Sequence, residues 1–195
     1  MQNLKISLKW IKVEISSSII NVQMDTLQLI KLLKSDPATA AVFGGVLARD
    51  KLPLLTANKC YICNTDISSK PGKHWIAIYI ENNKGEYFDS YGLPPLKEFE
   101  LFLSNNTSKW EFNDKQLQSF DSSVCGEYCV VYLMLRCRGV SLKNFGAMFS
   151  HDLEKNDKLI SELPTLAVDN TKLTMNDCSV TQQCKTYNCY NHKFV

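Results

Sequence analysis

Cys125-Gly126-Glu127-Tyr128-Cys129-Val130-Val131-Tyr132-Leu133-Met134-Leu135, introduced by Ser122-Ser123-Val124, carries the pattern that decides how this chain folds. From Tyr128 to Leu135 the side chains are apolar all round, too uniformly so for a helix with one face in water. The run predicts a buried central helix over about 125–138, closed by Gly139 as a left-handed cap. Cys125 then falls in the first turn, where unpaired backbone N–H groups and the helix dipole favour negative charge on a thiol. Gly126, directly after it, is expected to leave room for a substrate backbone to approach.

Upstream, Leu27, Ile30 and Leu33 lie at helical spacing behind Asp25, which predicts a capped helix over 25–34 ended by Asp36-Pro37. Phe43-Gly44-Gly45-Val46 through Pro53 reads as turn-rich. Lys59 to Asn64 and His74 to Glu81 carry the β-branched and aromatic content of strands. Asn82-Asn83-Lys84-Gly85 is a tight connector, so Glu86 to Asp89 returns as the partner of a hairpin. His74 thus begins one strand and Asp89 ends its neighbour, and antiparallel pairing brings both to the same edge of a sheet, within hydrogen-bond reach. Leu96 to Leu103 reads as a helix and Lys109 to Phe112 as a short strand.

Beyond the central run, Ser141 to Phe149 and Asp152 to Leu163 read as two helices, with Pro164 ending the regular pattern. Residues 1–22 alternate at Leu4, Ile6, Leu8 and Trp10 and then slip phase at Ile11, Val13 and Ile15. The expected organisation is an N-terminal extension over 1–23, one domain over 24–163 and an irregular tail over 164–195. A chain of 195 residues suits a single hydrophobic core.

The charge balance is +2, far from the clustered positive charge of a dedicated nucleic-acid binder. The longest apolar run, Cys129 to Leu135, is much shorter than the roughly 20 residues a membrane span needs. Lys5, Lys9 and Lys12 interrupt the N-terminus, so a secretory signal is not expected. The eight cysteines then read as intracellular thiols rather than a disulfide framework. Cys60 and Cys63 form a C-x-x-C, but on a strand their thiols point to opposite faces, which disfavours a metal or redox pair. Cys178, Cys184, Cys189 and His192 match no standard zinc-knuckle spacing. No metal is expected.

Of the three histidines, His151 follows an apolar helix, His192 lies near the end of the chain, and His74 starts a strand beside Trp75. Taken singly, each candidate has a structural reading: Cys125 as a small core residue, His74 as a satisfied buried ring, Asp89 as a turn initiator, Gln118 as a loop amide. Their order and spacing argue for more. His74-Trp75, then Phe88-Asp89-Ser90-Tyr91-Gly92, then Gln118 followed by Cys125-Gly126, resembles the His-Trp, acid and Gln…Cys-Gly series of the adenovirus-protease and ubiquitin-like-protease superfamily. The glutamine stands seven residues before the cysteine, a spacing similar to that of adenain. Phe43-Gly44-Gly45-Val46, Lys51-Leu52 and Ile62-Cys63-Asn64-Thr65 also resemble the adenain segment leading into its His-Trp strand. The phrase from Phe88 to Pro95 is similar to the capsid-maturation proteases of Maverick/Polinton-type DNA transposons and related viruses. The resemblance covers roughly 24–160. Asp89 departs from adenain, which carries glutamate there, and Val124 departs from the de-SUMOylating branch, where aspartate is common.

The resemblance implies an α+β, papain-like or adenain-like cysteine protease fold, with a central mixed sheet packed against a buried helix carrying the nucleophile and flanked by further helices. It implies His74, Asp89 and Cys125 as catalytic residues, the Gln118 amide and the Cys125 backbone N–H as an oxyanion hole, and Trp75 and Gly126 as supporting or substrate-binding residues. The activity implied is a cysteine endopeptidase cleaving viral or transposon structural-protein precursors through a thioester acyl-enzyme. A SUMO or ubiquitin-like isopeptidase and an inactive, domesticated binding module are the alternatives. The implied setting is an intracellular monomer, in the nucleus or cytoplasm of a host cell or packaged in a virion, acting on polypeptide without membrane or cofactor. Activation by a short peptide and by DNA is expected from the resemblance alone. Lys9, Lys12, Lys109, Lys115, Arg136, Arg138 and Lys143 are the cations available to a DNA-binding face, and a scattered solvated surface is the plainer account of them.

Overall fold

The computed structural model describes residues 23–54 and 57–169. The alternating segment over 1–22 and the cysteine-bearing tail lie outside the described residues. The strands are β1 (Phe43–Ala48), β2 (Lys59–Asn64), β3 (Trp75–Glu81), β4 (Lys84–Phe88) and β5 (Lys109–Phe112). The helices are α1 (Thr26–Ser35), α2 (Pro37–Ala40), α3 (Lys97–Asn106), α4 (Cys125–Arg136), α5 (Leu142–Gly146) and α6 (Leu153–Asp169). Among the described residues the strands form one five-stranded sheet in chain order, β1-β2-β3-β4-β5. β2, β3 and β4 run antiparallel in turn, and β1 and β5 join the two edges in parallel. The chain is therefore α+β with a mixed sheet, as its pattern of elements predicts.

Helices cover both faces of the sheet. Ile62, Ala77, Tyr79 and Phe88 meet α1, α4, α5 and α6 on one side, while Tyr61, Ile76, Ile78 and Tyr87 meet Phe99, Phe102 and Leu103 of α3 on the other. Alternate residues of β3 thus enter separate cores, which is why Ile76 to Ile80 is buried without a polar break. The same alternation divides the C-x-x-C: Cys60 packs with the α4 side and Cys63 with the α3 side. Helix α4 is the central element. Tyr128, Cys129, Val130, Tyr132 and Leu133 are fully buried, and each large apolar side chain removed from water contributes about 1.5–3 kcal/mol.

Asp25 caps α1 in a reciprocal box with Gln28, its Oδ1 accepting from the Gln28 N–H at 2.9 Å and its own N–H donating to Gln28 Oε1 at 2.8 Å. Asn82 and Asn83 both take positive φ, 50° and 62°, in the turn that joins β3 to β4. At the end of α4, Gly139 adopts φ 88° and the Val140 N–H reaches back to Leu135 O at 3.1 Å, so the predicted cap forms.

Two expectations are corrected. Phe43 to Ala48 is a strand, not part of a turn-rich stretch, and it pairs in parallel with β2. Gly44 serves packing: a Cβ there would sit 2.2 Å from Cε1 of Tyr61, so only glycine lets the strand lie across that ring. Pro164 does not end the last helix, which continues to Asp169. One proline removes a single rung from a ladder that the flanking turns maintain.

Glu86 ties the sheet to the end of α4. Its Oε2 accepts from the Tyr132 hydroxyl at 2.5 Å, both carboxylate oxygens accept from Arg136 Nε at 2.8–2.9 Å, and the guanidinium lies 4.3 Å above the Tyr79 ring. Glu86→Ala leaves the buried Tyr132 hydroxyl without its acceptor and Arg136 with only its longer contact, 3.7 Å, to Glu81. It is predicted to cost about 3 kcal/mol in urea unfolding. A loss under about 1 kcal/mol would contradict this role.

Candidate active site

The site forms where the start of β3, the end of β4 and the start of α4 meet. The pairing of Ala77 with Phe88 sends the residue before β3 and the residue after β4 to the same edge of the sheet. There His74 Nε2 lies 2.9 Å from Asp89 Oδ1, and both side chains are nearly buried. With Nε2 engaged, Nδ1 is the ring nitrogen left for the Cys125 thiol, to which His74 also hydrogen bonds. Cys125 is the first residue of α4 and is 3 % exposed. Burial, the largest single influence on the imidazole, opposes its protonation. The bonds to Asp89 and Cys125, with the negative charge of both partners, outweigh burial and raise His74 to about 9.

Each residue after β4 holds a different part of the site. Asp89 also accepts the Tyr91 N–H at 2.8 Å, and Asn113 clamps its backbone, Oδ1 accepting from the Asp89 N–H at 2.8 Å and Nδ2 donating to Asp89 O at 2.6 Å. The Ser90 hydroxyl donates to Gln118 Oε1 at 2.6 Å, while Ser90 O accepts the N–H groups of Leu117 and Gln118. Tyr91 stacks on the His74 ring with centroids 4.6 Å apart, and Phe120 leans on Tyr91 from outside.

Gln118 is fully buried, and its Nε2 donates to Ser122 O at 3.0 Å and to Ser122 Oγ at 3.1 Å. The amide therefore faces the loop that leads into Cys125, with its N–H groups engaged there. Helix α6 fixes this loop from behind: Asn156 Nδ2 donates to Leu117 O at 3.1 Å, and Asp157 Oδ2 accepts the Ser119 N–H at 3.0 Å. Lys115 anchors it to the end of α5 through Gly146 O and Phe149 O.

Trp75, next after His74 in the chain, donates its indole N–H to Met24 O at 3.0 Å. Gly126 differs from expectation. A Cβ there would meet Met24 Cβ at 3.1 Å, Leu29 Cδ2 at 3.3 Å and Trp75 Cδ1 at 3.4 Å, so its missing side chain admits the chain before α1 rather than a substrate backbone. Asn113, Asn156 and Asp157 carry no signal in the sequence, nor does Gln23, whose Nε2 lies 3.4 Å from Cys125 Sγ, and Ser90 stands out there only as part of the Phe88-to-Gly92 phrase. A cavity of about 520 Å³ adjoins the site, its walls including Gln23, Met24, Asn64, Asp66, Gly72 and Trp75.

Among the described residues no group of three or more histidine, cysteine or acidic side chains could hold a metal ion. Cys60, Cys63, Cys125, Cys129 and Cys137 are free thiols. Of the cations considered for a basic face, Arg136 pairs with Glu86, Arg138 with Asp36, and Lys115 with main-chain carbonyls; Lys9 and Lys12 lie outside the described residues. No described helix is long and apolar enough to cross a membrane.

Comparison with known proteins points the same way. No family model matches the chain. It is 30% identical over 98 residues to "Cysteine protease S273R" of African swine fever virus, covering 43% of this chain and 36% of that one. It is 30% identical over 95 residues to "Putative thiol protease R355" of Acanthamoeba polyphaga mimivirus, covering 43% and 31%. The matches thus span about a third of the length of these curated relatives. The crystal structure of the African swine fever virus pS273R protease superposes with a TM-score of 0.53 at 18% identity, over 73% of this chain and 67% of that one. The fold is therefore similar to that of a viral cysteine protease.

Glu127 stands in the same first helical turn as Cys125, buried, with no hydrogen-bond partner for Oε2. Burial pushes its carboxyl up to about 7, its own backbone N–H pulling slightly the other way. Between the ordinary value of 4.5 and about 7 the folded chain holds a proton that the unfolded chain releases, so stability falls as the pH rises through this window. Glu127→Gln is predicted to stabilise the protein by on the order of 2 kcal/mol at pH 8 and to change little at pH 4, in urea titrations at both values. Equal effects at the two pH values would contradict the assignment.

Proposed function

We propose that this chain is a cysteine endopeptidase whose nucleophile is Cys125. The observation that carries the reading is the His74 ring, bonded to Asp89 at 2.9 Å on one side and to the thiol at the start of a buried helix on the other. Cys125 Sγ attacks the peptide carbonyl, forming the C–S bond, while carbonyl charge moves to oxygen. His74, protonated at neutral pH, delivers its proton to the departing amine as the C–N bond breaks. The thioester that remains is hydrolysed by water, which gives a proton to the now neutral His74. Collapse of that second tetrahedral species expels the thiolate and restores the pair. Asp89 holds the imidazole in orientation throughout, itself fixed by Asn113 and the Tyr91 N–H.

The Cys125 backbone N–H and one N–H of Gln118 would stabilise the oxyanion. The Ser122 hydroxyl, which can rotate away, is the partner that Gln118 gives up; Ser122 O retains the other N–H. The cavity walled by Trp75 and Gln23 is the proposed seat of an extended polypeptide; Cys125 is not among its walls, and Gln23, bonded to the sulfur, connects the two. The viral relatives, both named as proteases, support a polypeptide substrate; precursors of viral or transposon structural proteins are the substrates proposed.

Cleavage of such a precursor, followed by mass spectrometry of the products, tests the reading. Cys125→Ala and His74→Ala are each predicted to lower turnover by at least about a thousandfold. Turnover within tenfold of the parent in either variant would remove that residue from the site. Cleavage confined to ubiquitin-like modifier fusions would move the substrate class to isopeptides. In the parent enzyme kcat/KM is predicted to fall as pH rises through about 9, where His74 loses the proton it must deliver. A rate still climbing beyond pH 10 would contradict this.

A further inference from the structure

We infer that Gln23 is a further catalytic residue, whose carboxamide donates an N–H to Cys125 Sγ and holds the thiolate before attack. The inference rests on the peptidase reading above and adds a residue to its site. Gln23 Nε2 is 3.4 Å from the sulfur, a hydrogen-bond distance for so large an acceptor, although 102 residues separate the two along the chain. A neutral amide stabilises an anion there without adding a charge that would compete with the His74 imidazolium.

The position of Gln23 is over-determined by its neighbours. The Trp75 indole N–H holds Met24 O at 3.0 Å, Met24 Cβ seats against Gly126 in the first turn of α4, and Asp25 is locked in its capping box with Gln28. Two successive residues are thus tied to β3, α4 and α1, which fixes the main chain from which the Gln23 side chain reaches the thiol. Such support is what holds a reacting group to within a fraction of an ångström. The other glutamine of the site cannot serve here at the same time. Gln118 has its oxygen on Ser90 and its N–H groups on Ser122. The two amides divide the work: Gln23 addresses the sulfur before attack, and Gln118 the carbonyl oxygen after it.

Gln23 also lines the cavity of about 520 Å³, so a polypeptide lying there touches the side chain that holds the nucleophile. Gly126 belongs to the same geometry, because a Cβ at that position would stand 3.1 Å from Met24 Cβ and press on the residue next to Gln23.

The test is alkylation of the full chain by iodoacetamide from pH 5.5 to 9.5, with the rate at Cys125 read by peptide mapping. It uses a Cys137→Ala background, because Cys137, its thiol lowered to about 7 chiefly by a hydrogen bond with Cys60, would compete for the reagent. Gln23→Ala is predicted to slow Cys125 at pH 6.5 by about ten- to a hundredfold and to converge on the parent rate, within twofold, at pH 9.5. Gln23→Glu, which loses the donor and adds a charge, is predicted to be slower still. A mere structural defect would lower the rate alike at every pH. A Gln23→Ala profile that superimposes on the parent, or a faster rate showing that Gln23 only shields the thiol, would overturn the inference. So would parent-like behaviour of Gln23→Glu, which would place an acceptor, not a donor, against the sulfur. If instead Cys125 of the parent reacts no faster at pH 6.5 than a cysteine in an unstructured peptide, the peptidase reading itself fails and takes this inference with it.

Discussion

Burial of α4 against the sheet is the constraint on which the rest of the structure depends. A helix apolar on every side cannot remain at the surface, so it lies between β3 and β4 on one side and α1, α5 and α6 on the others. That burial fixes where its first turn emerges, at the sheet edge where the strand flanks His74 and Asp89 converge. The thiol and the imidazole are brought together by core packing and by strand pairing, not by any local motif. Glu86 fixes the far end of the same helix through Tyr132 and Arg136, which limits sliding of α4 along its groove.

Around this pair the protein uses short polar residues to hold longer ones. Asp89, Ser90 and Tyr91 are consecutive, yet they respectively bond the imidazole, hold the oxygen of Gln118, and stack on the His74 ring. The phrase FDSYG is thus a compact scaffold rather than a single acid followed by a turn. Buried Asn156 and Asp157 of α6 then hold the loop between Gln118 and Cys125, so a helix that touches neither His74 nor the sulfur in the hydrogen-bond network still determines the approach to α4.

Much of this was legible in the sequence where a single period decided the matter. The apolar run 128–135 announced a buried helix, and the tight connector at Asn82-Asn83 announced the hairpin that carries His74 to Asp89. Strand alternation foretold that Cys60 and Cys63 face opposite ways. What escaped reading involves contacts between loops far apart in the chain, where no period exists. Gln23 against Cys125 and Asn113 against Asp89 are of this kind, at separations of 102 and 24 residues. β1 escaped because glycine lowers strand propensity, and the ring of Tyr61 that makes glycine necessary lies on a different strand. Gly126 was noticed for the right position and the wrong neighbour: it admits Met24.

The central claim is that Asp89 and Cys125 together keep His74 protonated, and ring-nitrogen chemical shifts of His74 measured by NMR across pH test it most directly. The account predicts a ring protonated on both nitrogens at pH 7 that titrates near 9, and a titration displaced to lower pH in Cys125→Ala, because the thiolate is one of the two anionic partners that keep the proton on. A ring already neutral at pH 7, or a titration that Cys125→Ala leaves unmoved, would contradict it.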